Sequence, residues 1–578
     1  MPGTTTPPPT DDSVRTPLEG EVRTVSFVSL GCPKNLVDSE KMLGLLAEDG
    51  ISPVSHEAPD QTIAGTSPAS TDDLSLAGSE QDDVAEGRIT PADAVVINTC
   101  GFLEASKQES MNVIEQAVAA KGRGEVKRVV VAGCLVQRHR AKMLDWAPGI
   151  DAMVGVFDRD KIVEAVRGFA PNRTDLETEL KQAPKYWINA NALTKADSEG
   201  MSTVGLTVQG KDGRGIGYFE SDAARLRLTP RHYAYLRISE GCNQKCAFCT
   251  IPSIRGKMRS KREPEILTEA RELLRDGAFE LLMIGQDTTS YGDDIGAGLM
   301  QADGDSHFRG GLPKLLKSLS DVVTQETGKA WLRLMYAYPT TFGDETIDAF
   351  AELCETGHLI PYLDIPLQHA SDNMLTAMRR HVKASEQREL ILKLRDRVPG
   401  MAVRTTFITG FPGETQADHE QLLEFIDEVG FEAVGVFRYS KEQGTPAGTM
   451  EADPALAVPE DVKAARQAEI LELQQRLCFE QNEFLAEQFD DADPENTGLR
   501  FDVLIDESKG TDEDGRHVHF GRTYFQAPKI DATTYVLSRQ KLSPGELVRC
   551  TVVGSDGYDL IAMPTDELTA RLSLPVLG

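Results

Sequence analysis

Basic residues are under-represented in this chain: 61 Lys and Arg face 91 Asp and Glu, giving a formal net charge of −30 at pH 7. Phosphate-wrapping proteins cluster cations, so stable DNA binding is disfavoured. The acidity suits a basic partner through complementary fields, or simply keeps the chain soluble. Long apolar runs are missing as well. No stretch approaches the roughly 20 residues that a bilayer span requires. The opening residues, MPGTTTPPPTDDSVRTPLEG, lack the basic and apolar regions of a secretory signal. The expectation is therefore a cytoplasmic protein with no membrane association. No repeat of roughly 20–50 residues recurs, which argues against a solenoid. Cysteine is sparse: nine are scattered over 578 residues, which favours metal ligation or catalysis over a disulfide framework.

A chain this long divides into several domains. Residues 1–22 are Pro-, Thr- and Asp-rich and read as a disordered tail. Residues 23–182 alternate apolar strands (VSFVSL, DAVVIN, RVVVAG) with helical stretches, predicting a parallel-sheet α/β domain. Within it, the polar and aperiodic segment 51–90 reads as a mobile insertion, and 183–231 as a linker. Residues 232–485 hold six strand candidates at 233–238, 280–284, 331–337, 362–367, 403–408 and 433–439. Helical stretches separate them, so a partial (β/α)6 barrel is expected, with functional loops at the carboxyl ends of its strands. Residues 291–311 form another polar insertion, and 496–567 read as short strands of a small β-barrel.

Just past the first of those six strands, Cys242, Cys246 and Cys249 stand in C-x3-C-x2-C spacing. Three thiolates so close in sequence can hold three corners of a four-iron cluster and leave one iron open. A zinc site is the competing reading, but no fourth ligand follows nearby. Three further cysteines share one structural place: Cys32, Cys100 and Cys134 each follow an apolar strand, beside Gly31, Gly101 and Gly133. Carboxyl ends of neighbouring parallel strands line one crevice, so these thiols converge although they are distant in sequence. Cys354, Cys478 and Cys550 fit neither trio and are read as core packing.

The C-x3-C-x2-C motif resembles the radical S-adenosylmethionine (SAM) superfamily, and the two trios together resemble its methylthiotransferases. That resemblance implies two 4Fe-4S clusters, one held by Cys242, Cys246 and Cys249 and the other by Cys32, Cys100 and Cys134. It also implies SAM as cosubstrate, an electron donor, and a substrate-docking TRAM domain as the terminal barrel. One SAM would methylate a sulfur on the second cluster. A second SAM would yield the adenosyl radical that takes hydrogen from the substrate. Gly285, Gln286 and Asp287, together with Arg404 and Gly410, match blocks of the family and are expected near SAM. His369 is as readily structural. The stretch from Leu30 to Glu40, in which Pro33, Lys34 and Asn35 follow the cysteine, resembles the branch acting on an aspartate of ribosomal protein S-twelve. The transfer-RNA branch usually reads Gln-Met-Asn there. Phe520-Gly-Arg-Thr-Tyr524 and Ala527-Pro-Lys-Ile-Asp531 resemble the ribosomal-protein branch too. Between 500 and 560, ten acidic and eight basic residues leave a net −2, a poor grip on phosphate. Two alternatives stay open: a transfer-RNA adenosine methylthiotransferase, and a non-catalytic metal-bearing RNA-binding module.

Overall fold

The computed structural model describes residues 22–54, 89–140, 142–168, 186–187, 222, 225–296 and 310–569. All but the last residue of the expected tail, most of the two insertions and most of the linker lie outside those residues. Three β-structures follow one another along the chain. The first is a six-stranded sheet, ordered β2-β1-β3-β4-β5-β6. Its strands are β1 (Thr24–Ser29), β2 (Ser52–Pro53), β3 (Ala92–Thr99), β4 (Val126–Gly133), β5 (Ala152–Val154) and β6 (Tyr186–Trp187). All neighbours run parallel. Helices cover both faces, so the central strands are apolar without alternation, and Val95, Val96 and Ile97 are all fully buried. Strand β6 comes from the expected linker, as does Asp222, which is 1% exposed.

The second sheet is parallel throughout and ordered β14-β13-β12-β11-β10-β7. It comprises β7 (Tyr233–Arg237), β10 (Glu280–Ile284), β11 (Trp331–Leu334), β12 (Leu359–Asp364), β13 (Ala402–Thr409) and β14 (Ala433–Arg438). β7 and β14 do not pair, so the barrel is open, and the short hairpin β8 (Ser239–Glu240) with β9 (Arg259–Ser260) flanks it. Two strands differ from the sequence reading. β12 begins three residues earlier because Pro361 falls where its register against β11 shifts, a place that needs no amide donor. β11 stops at Leu334, short of Tyr336, whose φ of 60° turns the chain away. Alternation sorts the side chains of this sheet. Leu281 and Met283 pack under the outer helices, whereas Leu282 and Ile284 join Tyr235, Met335 and Tyr362 on the inner face.

The third structure is a closed barrel, β15-β16-β17-β19-β18, formed by β15 (Arg500–Thr511), β16 (His517–Arg522), β17 (Thr534–Ser538), β18 (Leu547–Asp556) and β19 (Asp559–Pro564). Its 522–531 segment reaches the inner face of the second sheet. Glu280, fully buried, receives Arg333 Nε and Arg522 Nη1 at 2.6 Å each. Arg333 also donates to the carbonyls of Tyr524 and Gln526 at 2.7 and 3.1 Å. Tyr362 donates to Asp531 at 2.8 Å. Among the described residues, no helix is long and apolar enough to cross a membrane.

Candidate functional site

The first thiol trio lies at the carboxyl edge of the first sheet. Cys32 is the N-cap of helix Pro33–Glu48, with Pro33 setting the first turn. Cys100 directly follows β3, and Cys134 opens helix Cys134–His139. Glycine at two positions lets these loops close on one another. Gly31 has φ +87°, and a Cβ there would stand 2.7 Å from Cys100 Cβ and 3.1 Å from its Sγ. A Cβ on Gly101 would meet the backbone of Leu135 at 2.7 Å. Asn35, fully buried, ties the loops together. Its Nδ2 donates to the carbonyls of Leu30 and Thr99 at 3.0 and 2.9 Å, and its Oδ1 accepts from Cys134 Sγ at 3.4 Å. Burial pushes the Cys134 thiol up to about 12 and raises Cys100, with Cys32 adding to both.

The second trio occupies the loop after β7. Gln244 N–H donates to Cys242 Sγ and Ile251 N–H to Cys249 Sγ, each at 3.4 Å. Arg380 Nη1 stands 3.6 Å from Cys246 Sγ. Burial pushes Cys242 and Cys249 up to about 12. Both donor sets are wholly thiol, which fits iron–sulfur ligation. Among the described residues no three His, Cys, Asp or Glu side chains are drawn together as one metal ion would hold them. A cube of irons and sulfides is larger than an ion, and its thiolates stand farther apart.

A buried ionic network that the sequence reading did not foresee joins the first trio to the chain on either side of the second. Arg255, 2% exposed, lies six residues past Cys249. Its Nη2 is 3.2 Å from Cys134 Sγ and 2.5 Å from Asn35 Oδ1, and its Nη1 meets Asp38 and Glu240 at 2.9 and 3.0 Å. Arg237 adds bonds to Asp38 at 2.6 Å and Glu240 at 2.9 Å, and pairs with Asp222. Burial alone would raise Asp38, but Arg159, Arg255 and Arg237 hold it well below the usual carboxylate range. A second bridge joins Arg138, beside Cys134, to Glu442 at 2.7 Å.

Lys34 makes a third crossing. It is 7% exposed, and its ammonium lies 3.2 Å from the centroid of the Tyr336 ring, beyond β11. Burial draws its pKa down from 10.5, opposed by the charge of Cys32.

The residues expected near SAM take these places. Gln286 accepts from Gly241 N–H at 2.5 Å and donates to Glu240 at 2.9 Å, so it braces the cysteine loop. Asp287, 1% exposed, accepts from Gln244 and Ser290 at 2.9 Å each. Gly285 packs against Ser239, where a Cβ would meet Oγ at 2.4 Å. Arg404 pairs with Asp364 at 3.1 Å and with Asp531 of the small barrel at 3.2 Å. Gly410 abuts Lys463 of helix Glu460–Glu487. His369 is fully buried, and its Nδ1 accepts the N–H groups of Ala370 and Ser371. Cys550 sits in the core of the small barrel.

Residues 236–426 match the radical SAM superfamily, 497–564 the TRAM domain, and 74–155 the uncharacterized protein family UPF0004. A ribosomal protein uS12 methylthiotransferase RimO from Thermoanaerobacter sp. (strain X514) is 34% identical, over 93% of this chain and 99% of that protein. One of the same description from Caldanaerobacter subterraneus subsp. tengcongensis is 36% identical, with the same coverage of each chain. The solved radical SAM methyltransferase TsrM from Kitasatospora setae is 14% identical with a TM-score of 0.45, covering 74% of this chain and 77% of its own. The identity along nearly the whole length of both RimO chains places this protein in their family: the chain belongs to the RimO-type radical SAM methylthiotransferases.

Proposed function

We propose that this enzyme attaches a methylthio group to the β-carbon of an aspartate in ribosomal protein S-twelve, in the cytoplasm, using two molecules of SAM and an electron donor. In this reading residues 23–182 form the unit bearing the auxiliary cluster, 232–485 the radical SAM unit and 496–567 the TRAM unit. Cys32, Cys100 and Cys134 hold the auxiliary 4Fe-4S cluster, and Cys242, Cys246 and Cys249 hold the one at which SAM binds. When bound, that cluster supplies the single electron that cleaves SAM to a 5′-deoxyadenosyl radical, which can take hydrogen from an unactivated C–H bond.

The chain's own residues do the rest. Gln286 and Asp287 fix the loop of the SAM-binding trio from the adjoining strand end. Arg255, Asn35 and Gly31 set the geometry of the other trio. Tyr235, Met335 and Tyr362 fill the inner face of the second sheet with apolar surface and exclude water there. The observation that carries this reading is the single buried guanidinium of Arg255 joining the Cys134 thiol to the body that bears the other trio.

Anaerobic incubation of the reconstituted enzyme with SAM, a reductant, a sulfur source and either the ribosomal protein or transfer RNA tests it. Methylthiolation of the protein, read by mass spectrometry, is the expected result. Activity on RNA alone would overturn it. Iron analysis should give about eight irons per chain, as two four-iron clusters require.

A further inference from the structure

We infer that Glu442 is a positioning residue that holds the Cys100 loop of the first trio in register with the Cys242–Cys249 loop of the second. This rests on the function proposed above for what the two clusters do, and adds the residue that sets one against the other.

Glu442 lies in the loop between β14 and helix Pro446–Met450 of the second body, and is 2% exposed. Both of its carboxylate oxygens are spent on the first body. Oε2 accepts from Arg138 Nη2 at 2.7 Å, and Oε1 accepts from the Glu104 N–H at 3.1 Å. Glu104 opens helix Glu104–Gly122, which begins four residues after Cys100. The first amides of a helix need acceptors from outside it. The N-cap here is Leu103, whose side chain supplies none, so a carboxylate from the other body takes that role, where the helix dipole favours a negative charge. Arg138 belongs to the helix that Cys134 opens, and its Nη1 donates to the Gly101 and Phe102 carbonyls at 2.8 and 3.3 Å. Glu442 thus grips the segment after Cys100 at both ends, once directly and once through Arg138.

The other side of this grip is anchored on the second trio. Ala447 N–H donates to the Ala247 carbonyl at 3.0 Å, and Ala247 lies between Cys246 and Cys249. Only five residues separate that bond from Glu442, and they are rigid. Thr445 Oγ1 donates to the Glu442 carbonyl at 2.7 Å and accepts the Gly448 N–H at 3.0 Å. Gly448 packs so closely that a Cβ there would strike the Glu442 carbonyl. Removing one partner of a buried ion pair strands the other charge, so the loops shift when either side chain is lost. A misplacement of about 1 Å between reacting groups is enough to cost about a hundredfold in rate.

The test uses the reconstituted holoenzyme with Glu442→Gln, Arg138→Met and the double variant. Gln keeps the size of the side chain and an oxygen for Glu104, but brings no charge to Arg138. Iron loss to a chelator is followed anaerobically, and 5′-deoxyadenosine is counted per methylthiolated ribosomal protein. In Glu442→Gln about four of eight irons should leave about tenfold to a hundredfold faster than in the native enzyme, the range for one charge-assisted bond. The other four should keep the native rate. The count of 5′-deoxyadenosine per product should rise, because radicals then form without reaching a well-placed acceptor. The double variant should match the worse single one, since the pair acts as a unit. Arg138→Met carries the same expectations should the first variant fail to fold. All eight irons leaving faster, with the count per product unchanged, would mark an ordinary interface contact and overturn the assignment. Iron release at the native rate in every variant would overturn it too. A native enzyme inert on the ribosomal protein removes the proposed function, and the iron release then decides this assignment by itself.

Discussion

Gly31 shows how much one missing methyl group decides. Cys32 and Cys100 follow different strands, and the loop before Cys32 packs on Cys100 through a glycine with φ +87°, where an added Cβ would stand 2.7 Å from Cys100 Cβ. Gly31→Ala adds backbone strain of about 1–2 kcal/mol and a collision at that contact. The expected outcome is selective: iron falls from about eight to about four per chain, while reductive SAM cleavage at the other trio persists. Loss of all iron, or none, would contradict it. The six ligand candidates were legible in the sequence because cysteine spacing and strand ends are local signals. Asn35, Arg255 and Glu442 were not legible as partners. Each acts across 64 to 338 positions of chain, and a single sequence does not pair such residues.

Elements were easier to read than their edges. Both parallel sheets followed from apolar runs alternating with amphipathic helices, and the open barrel has its six strands where expected, except for the shifts at Pro361 and Tyr336. The seam between β1 and β3 carries a charge device that periodicity does not reveal. Asp93 accepts from the N–H groups of Arg23 and Thr24 at 2.9 and 3.1 Å and pairs with Lys127 at 2.7 Å. Burial works against its ionisation, but those donors outweigh it and hold its pKa at about 2, below the ordinary 3.8. The folded value being the lower one, its stabilisation is complete above about pH 4 and lost as pH falls toward 2. The side chain is partly solvated, so the contribution is on the order of 1 kcal/mol. Asp93→Asn should therefore lower the thermal midpoint at pH 7, and the gap from the native protein should close near pH 2. A gap that widens in acid would refute the device.

For the whole molecule, the small barrel proves more than a docking appendage. Glu280 and Arg333, both buried, and the partly buried Arg404 are charges of the second sheet whose partners include Arg522, the Tyr524 and Gln526 carbonyls, and Asp531. Breaking one such buried pair costs about 3–5 kcal/mol. Ending the chain before residue 496 should give a protein that lacks near-ultraviolet dichroism and is rapidly proteolysed, rather than a soluble core with weakened substrate affinity. A truncated chain that cleaves SAM at the native rate would show the barrel to be dispensable for folding. The milder Arg522→Met change should cost about 3 kcal/mol on the same grounds.

The network around Asp38, Glu240 and Arg255 also bears on how the cycle runs. Hinged enzymes separate their parts across solvated, loosely held seams; here the seam is a lattice of desolvated ion pairs that any opening would strand in place. The two cysteine-bearing halves are thus clamped at a constant separation, like the jaws of a fixed jig. Whatever passes between the two trios must therefore move on its own, with no swing of the protein to carry it.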